Sequence, residues 1–261
     1  MRLDPAIKFN IALVPGNKSI GFYDPALDVT LEYRISERIY QNFRRIVSYA
    51  LPGWQDAGRP LAVRLPRVRP QGFPYEAGTY AVFHLFGTSI KHALPPERWC
   101  ALLRHASRAH PGLGLVLTGT HAEQSAMAEV AAGLPVFCAT ELSIQELIWV
   151  IDNAALYVGI DTGVTHIAGV LQQKSIVVRH CSDPSWIPDY NLHARVLLNS
   201  KNCNPEDPTR CLVVEDGGVE YRRCTYDISD ESLRTSLDLG LSAPQRYVPG
   251  FAGVIDEAVV A

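Results

Sequence analysis

The residues best suited to chemistry lie in the run Leu156-Tyr157-Val158-Gly159-Ile160-Asp161-Thr162-Gly163-Val164-Thr165-His166-Ile167-Ala168. A continuous apolar stretch leads straight into Asp-Thr-Gly and then into a helical pattern that carries His166. The first N–H groups of a helix have no partner within it, and the helix dipole favours an anion beside them. Gly163 brings no side chain to obstruct a phosphate. Thr162 and His166 stand four residues apart, so a hydroxyl and an imidazole share one helix face and reach one ligand. This combination suits a diphosphate. Asp161 carries the wrong charge to touch phosphate; its expected role is to cap the helix or to accept from a ligand hydroxyl.

Two further loops carry compatible groups. In His84-Leu85-Phe86-Gly87-Thr88-Ser89-Ile90-Lys91, the Gly87 to Ser89 segment offers backbone and hydroxyl donors, Thr88 among them, and Lys91 a mobile cation for phosphate. In Leu117-Thr118-Gly119-Thr120-His121-Ala122-Glu123, Glu123 at a helix start could accept from ribose hydroxyls.

Each group also has a plainer reading. Lys91 alone is a solvated lysine, Glu123 a first-turn helix charge, His166 a satisfied core histidine. The single Asp161-Thr162-Gly163 lacks the second copy an aspartic protease needs. Pro15-Gly16-Asn17-Lys18-Ser19 lacks the earlier glycine of a P-loop, and Leu117 replaces the last glycine of a dinucleotide fingerprint begun at Gly112. Cys203, Cys211 and Cys224 could meet Cys181, His180 or His193 around zinc, but no Cys-x-x-Cys pair stands among them, so packing or thiol chemistry is favoured and no metal site is expected.

The elements that must position these loops alternate. Strand-like runs cover Tyr80–Leu85, Gly114–Thr118, Pro135–Cys138, Ala155–Ile160, Ser175–Arg179 and Val196–Leu198. Between them lie helical patterns. One opens at Pro95-Pro96 with Trp99, Leu102, Leu103 and Ala106 as its apolar stripe. Another runs from about Ala122 to Ala132. A third starts at a Ser143/Glu146 capping box and buries Ile144, Leu147, Ile148 and Ile151; the last spans Thr162–Leu171. Continuous apolar strands separated by amphipathic helices predict an α/β domain whose parallel sheet is covered on both faces. Ligands of such sheets bind beyond the carboxyl ends of the strands, where the three loops lie.

Composition sets the remaining bounds. The chain has 261 residues, 47% hydrophobic and 20% charged, with a net charge of −3, which argues against a nucleic-acid partner. No apolar run reaches the ~18–20 residues of a membrane span. The start, interrupted by Asp4, Pro5, Lys8 and Asn10, lacks a signal-peptide layout, so a cytoplasmic location is expected. Residues 1–58 hold short strand-like runs and one helix on Ile35, Ile39, Phe43, Ile46, Val47 and Ala50. Residues 59–78, with four prolines and four arginines, read as an extended linker. Residues 79–240 form the α/β domain, and 241–261 a C-terminal tail.

The ordered loops resemble glycosyltransferase family 9, the heptosyltransferase family. The resemblance covers roughly residues 79–240. It rests on Lys91 followed by Pro95–Trp99, Thr118-Gly119 with Glu123, the Ser143–Glu146 helix start, Asp161-Thr162-Gly163-x-x-His166 with Ala168, and the later Cys203, Cys211 and Cys224. It implies a GT-B type architecture: a complete Rossmann-like C-terminal domain beside an N-terminal α/β domain that is incomplete here, since Met1–Phe22 matches the middle of that domain rather than its start. It implies metal-independent, inverting transfer of a sugar from a nucleotide diphosphate, ADP by preference, to a glycan or glycolipid such as lipopolysaccharide core, with no further cofactor and with contact at the inner face of the cell membrane. Thr88, Lys91, Thr162, Gly163 and His166 would hold the diphosphate and Glu123, beside Gly119, the ribose. Asp161 would lie near the sugar, and the loop around Leu142 would face the base. The general base belongs to the part without a counterpart here, so no catalytic residue is assigned.

Overall fold

The computed structural model describes residues 10–12, 19–22, 29–31, 39–50, 53, 65–87, 93–180, 190–201, 212–242 and 251–257. The chain divides into two compact units, one of Met1–Arg59 with Ser182–Ile187, the other of Pro60–Cys181 with Pro188–Ala261.

In the smaller unit β1 (Asn10–Ala12) pairs antiparallel with β2 (Ser19–Phe22), and β2 pairs parallel with β3 (Val29–Leu31). Helix α1 (Ile39–Ala50) follows, with Ile46 buried and Asn42 accepting from Arg45 at 3.1 Å.

The larger unit is built on β4 (Tyr80–His84), α2 (Pro96–Ala109), β5 (Gly114–Thr118), α3 (Gln124–Val130), β6 (Val136–Ala139), α4 (Ile144–Asp152), β7 (Leu156–Ile160), α5 (Gly163–Val170), β8 (Ser175–Val178) and β9 (Ala194–Leu198). A hairpin of β10 (Val213–Asp216) and β11 (Val219–Arg222) comes next, then α6 (Arg223–Tyr226), α7 (Asp230–Leu241) and β12 (Gly253–Asp256). Seven strands form one parallel sheet in the order β12-β9-β8-β7-β4-β5-β6. The apolar strands β4, β5, β7, β8 and β9 are buried on both faces, as expected, whereas β6 at the sheet edge is only partly buried and exposes Cys138. On one face Ala81, Phe83, Leu115, Leu117, Val158 and Ile160 meet Trp99 and Leu102 of α2, Met127 of α3 and Leu233 and Leu237 of α7. On the other, Tyr80, Val82 and Tyr157 meet Ile148 and Ile151 of α4 and Ala168 of α5.

Three local expectations change. The region taken for a tail supplies the seventh strand, because Gly253–Asp256 pairs in register with Arg195–Leu198 of β9. Ile144, placed in the buried stripe of α4, is 58% exposed because it opens the helix and stands beyond the sheet. The described part of the proline- and arginine-rich stretch, residues 65–78, packs onto the sheet through Phe73 instead of standing in solvent. Phe73 is buried among Tyr75, Tyr80, Phe137 and Trp149, all at edge-to-face angles. Its two described arginines are partnered: Arg67 pairs with Asp152, and Arg69 lies over the Trp149 ring and donates to Glu76 of the same stretch.

Candidate functional site

β4 lies between β5 and β7, and the chain winds outward from it in both directions. Such a reversal opens a crevice at the carboxyl ends of the strands. The loops after β4, β5 and β7 all emerge there. Two contacts tie them. A Cβ on Gly87 would stand 2.9 Å from Thr162 Cγ2, so the β4 loop lies directly against the start of α5. His84, the last residue of β4, brings Nδ1 to 3.1 Å from both the carbonyl oxygen and Oγ1 of Thr118 at the end of β5. Burial holds His84 below the ordinary histidine range, while the Glu123 charge and the Thr118 carbonyl pull it up.

The start of α5 differs from expectation in one respect. Its N-cap is Thr162, in extended backbone, rather than Asp161. The Thr162 side chain does not cap the helix: Oγ1 is buried and lies close to the Tyr157 hydroxyl, a phenol that burial holds well above the ordinary tyrosine range although Thr165 and Thr162 pull it down. A side chain on Gly163 would meet nothing within 4 Å. The first N–H groups of the helix and the open space at Gly163 therefore coincide, with the Thr162 side chain packed beside them. Beneath them the Tyr157 phenol bonds Thr165 Oγ1 at 2.9 Å, and that hydroxyl donates to the Ile160 carbonyl at 2.5 Å, which fixes the helix to its strand.

Asp161 is drawn into the protein's own network. Its carboxylate lies 3.5 Å from Arg179 Nε, 3.9 Å from His180 Nε2 and 3.9 Å from His166 Nε2. Like charge would exclude phosphate from it, and the Arg179 guanidinium supplies the fixed positive charge beside it. His166 Nδ1 bonds the Tyr190 hydroxyl at 2.5 Å, with the two rings stacked. Burial takes His166 below the ordinary range, Asp161 pulls it up and Arg179 pushes it down.

Glu123 belongs to a 3-10 turn, His121–Glu123, ahead of α3, where one long helix was expected. Its Oε2 accepts from Thr120 N at 2.7 Å and Thr120 Oγ1 at 2.9 Å. A side chain on Gly119 would collide with Met127 and Glu123, so this loop needs its glycine for close packing. Leu142 precedes α4, whose Ser143/Glu146 capping box is present. Thr88 and Lys91 lie outside the described residues, as do Cys181, Cys203 and Cys211; Cys224 is buried.

Arg179, His180 and Tyr190 had no part in the expected site. The first two follow β8 at the same rim, so the rule that sent the search to strand ends could have found them. Tyr190 carries no such signal, since it comes from a separate segment.

A family model described as Glycosyltransferase family 9 (heptosyltransferase) matches residues 18–214. The chain belongs to glycosyltransferase family 9. A curated relative, Lipopolysaccharide heptosyltransferase 1 of Escherichia coli (strain K12), is 26% identical over 178 residues, 67% of this chain and 53% of that protein. The chain thus spans about half the length of the curated relatives it matches. Among solved structures it is similar to E. coli heptosyltransferase WaaC with ADP (TM-score 0.53, 22% identity, 65% of this chain and 53% of the other). It is also similar to the family 9 glycosyl transferase from Veillonella parvula DSM 2008 (TM-score 0.63, 14% identity, 84% and 64%). At these identities the likeness carries the fold alone: the larger unit has the Rossmann-like parallel-sheet architecture of the GT-B fold. Among the described residues no helix is long and apolar enough to cross a membrane.

Proposed function

We propose that this chain binds a nucleotide-diphospho-sugar, ADP-linked by preference, and serves transfer of a heptose-like sugar to a glycan or glycolipid acceptor such as lipopolysaccharide core. The observation that carries this reading is the start of α5, where the N–H groups of the first turn and an unobstructed Gly163 lie beside Thr162 and the β4 loop at the crevice. Support also comes from the family, and from solved relatives whose titles name ADP and ADP-2-deoxy-2-fluoro heptose.

In this reading an acceptor hydroxyl attacks the anomeric carbon as the nucleotide diphosphate departs. The helix N-terminus, Thr162, His166 and Lys91 stabilise the charge that develops on the leaving group. Glu123 meets the ribose and the loop at Leu142 the base. The leaving charge is met by these groups without a metal ion. The reaction is placed in the cytoplasm, at the inner face of the cell membrane where a glycolipid acceptor would present itself.

Thermal denaturation of the chain with millimolar ADP, ADP-heptose, GDP-sugars and UDP-sugars tests the reading. The ADP-linked ligands are expected to raise the midpoint by mass action. No shift with any nucleotide diphosphate overturns it. A shift with ADP-heptose but no acceptor-dependent release of ADP assigns a nucleotide-binding module instead of a transferase.

A further inference from the structure

The Asp161 carboxylate, only 10% exposed, is ringed by groups from two segments. His166 stands on its own helix; Arg179 and His180 follow β8, the neighbouring strand. The three differ in depth. The Arg179 side chain is 2% exposed, against 24% for His166 and 12% for His180. Its backbone N–H donates to the Leu197 carbonyl at 2.9 Å, and its Nη1 to the His180 carbonyl at 2.9 Å, so the backbone and the guanidinium each have an anchor.

Arginine keeps its charge at every accessible pH, and a buried charge without a counter-ion is costly. Arg179 and Asp161 therefore match each other whatever the two histidines do. His166 is left between opposing influences. Among the described residues the groups that face it are Asp161 from the end of β7, Arg179 and His180 from the end of β8, and Tyr190 on Nδ1; the Tyr157 phenol lies beneath the loop.

We propose that Arg179 is a positioning residue of the diphosphate site: by matching the Asp161 charge it leaves His166 neutral while the site is empty, so that an arriving diphosphate draws a proton onto His166. This rests on the reading of the α5 start as a diphosphate site. With Arg179 removed, the Asp161 carboxylate would bear more strongly on His166, charge the imidazole in advance and compete with the ligand for it. With Arg179 in place the ligand supplies the anion, and the proton comes from solvent.

The test follows the His166 ring proton by NMR against pH in the full chain, with the resonance assigned by its loss in His166→Gln. Arg179→Gln is expected to raise the His166 titration midpoint by about one pH unit, the usual effect of an unopposed carboxylate nearby. Arg179→Lys, which keeps the charge, is expected to stay near the wild-type midpoint. Asp161→Asn should move it the other way and decides the matter if Arg179→Gln fails to fold. An unmoved or lowered midpoint in Arg179→Gln, an Arg179→Lys variant that titrates like Arg179→Gln, or an unmoved or raised midpoint in Asp161→Asn overturns the proposal.

A second arm measures ADP affinity from pH 6 to 8. Wild type is expected to weaken as His166 loses its proton, and in Arg179→Gln that weakening should come at higher pH. A merely structural arginine would lower the melting temperature and leave both profiles in place. The NMR arm needs no nucleotide, so failure of ADP to bind overturns the functional reading and the diphosphate role of Arg179 with it, while ADP binding with an unmoved midpoint overturns this proposal alone.

Discussion

Gly169 and Tyr190 are in direct contact: a Cβ on Gly169 would stand 2.6 Å from Tyr190 Cε2 and 2.9 Å from its hydroxyl. The bare backbone on this side of α5 is what admits the ring that bonds His166. Tyr190 is held there by its own carbonyl as well, which accepts from Gln172 Nε2 at 2.8 Å.

Gly169→Ala should therefore displace Tyr190 and break its bond to His166. Overpacking of this kind costs about 1–3 kcal/mol, or roughly 5 °C in melting temperature for a unit of this size. Nucleotide affinity should fall with it. Gly163→Ala makes the contrast, because its Cβ meets nothing. It should melt like wild type and lose affinity only. Calorimetry and ADP titration of both variants check this; equal melting losses would show that the tight approach at Gly169 does not govern Tyr190.

The buried histidines make stability depend on pH. His84 and His166 both lie below the ordinary histidine range, chiefly through burial. In the unfolded chain both return to about 6.5. Between the folded and unfolded values the unfolded chain binds more protons, so acid favours unfolding. Stability without ligand should hold above about pH 6.5, fall as the pH drops through that value, and level off below the folded values. Urea midpoints at pH 7.5, 6.5 and 5.5 report it. The His84→Gln/His166→Gln double variant should flatten the slope. An unchanged slope would place its origin elsewhere.

Much of this arrangement was legible in the sequence because the determinants are local. Apolar strand runs, the Ser143/Glu146 box and the Asp161-Thr162-Gly163 turn each fit within a dozen residues, and the structure places them where their patterns indicated. What escaped depends on distant partners. The arginines at 67 and 69 read as solvated until Asp152, Glu76 and Trp149 are brought beside them. Strand β12 is four residues long and is defined only by β9. The β10–β11 hairpin did leave a signal, Gly217-Gly218 between two short strand runs, with both glycines at positive φ as a two-residue hairpin turn requires. Arg179 and Tyr190 bear on His166 through no spacing that a linear motif could record.

Glu123 separates a cap from a ligand contact. Its Oε2 already serves Thr120. Glutamine can reach back in the same way, so Glu123→Gln should keep the turn and melt near wild type, whereas Glu123→Ala should cost about 1 kcal/mol. If the carboxylate also meets a ribose, both variants should weaken ADP binding by about tenfold, the loss of one charge-assisted hydrogen bond. Wild-type ADP affinity in Glu123→Gln would reduce Glu123 to a cap.

Phe73 tests whether the proline- and arginine-rich stretch is part of the folded unit. Its ring is buried among four aromatic rings drawn from β4, β6, α4 and its own segment. Truncating a buried phenylalanine costs about 3–5 kcal/mol, so Phe73→Ala should lower the melting temperature by about 10 °C. Val68, in the same stretch, is 50% exposed, and Val68→Ala should melt within a degree or two of wild type. A flexible linker would give small effects at both positions. A large loss at Phe73 with none at Val68 makes residues 65–78 a wall of the sheet, packed on the face that carries α4 and α5, and ties the setting of the candidate site to a segment whose composition alone suggests a tether.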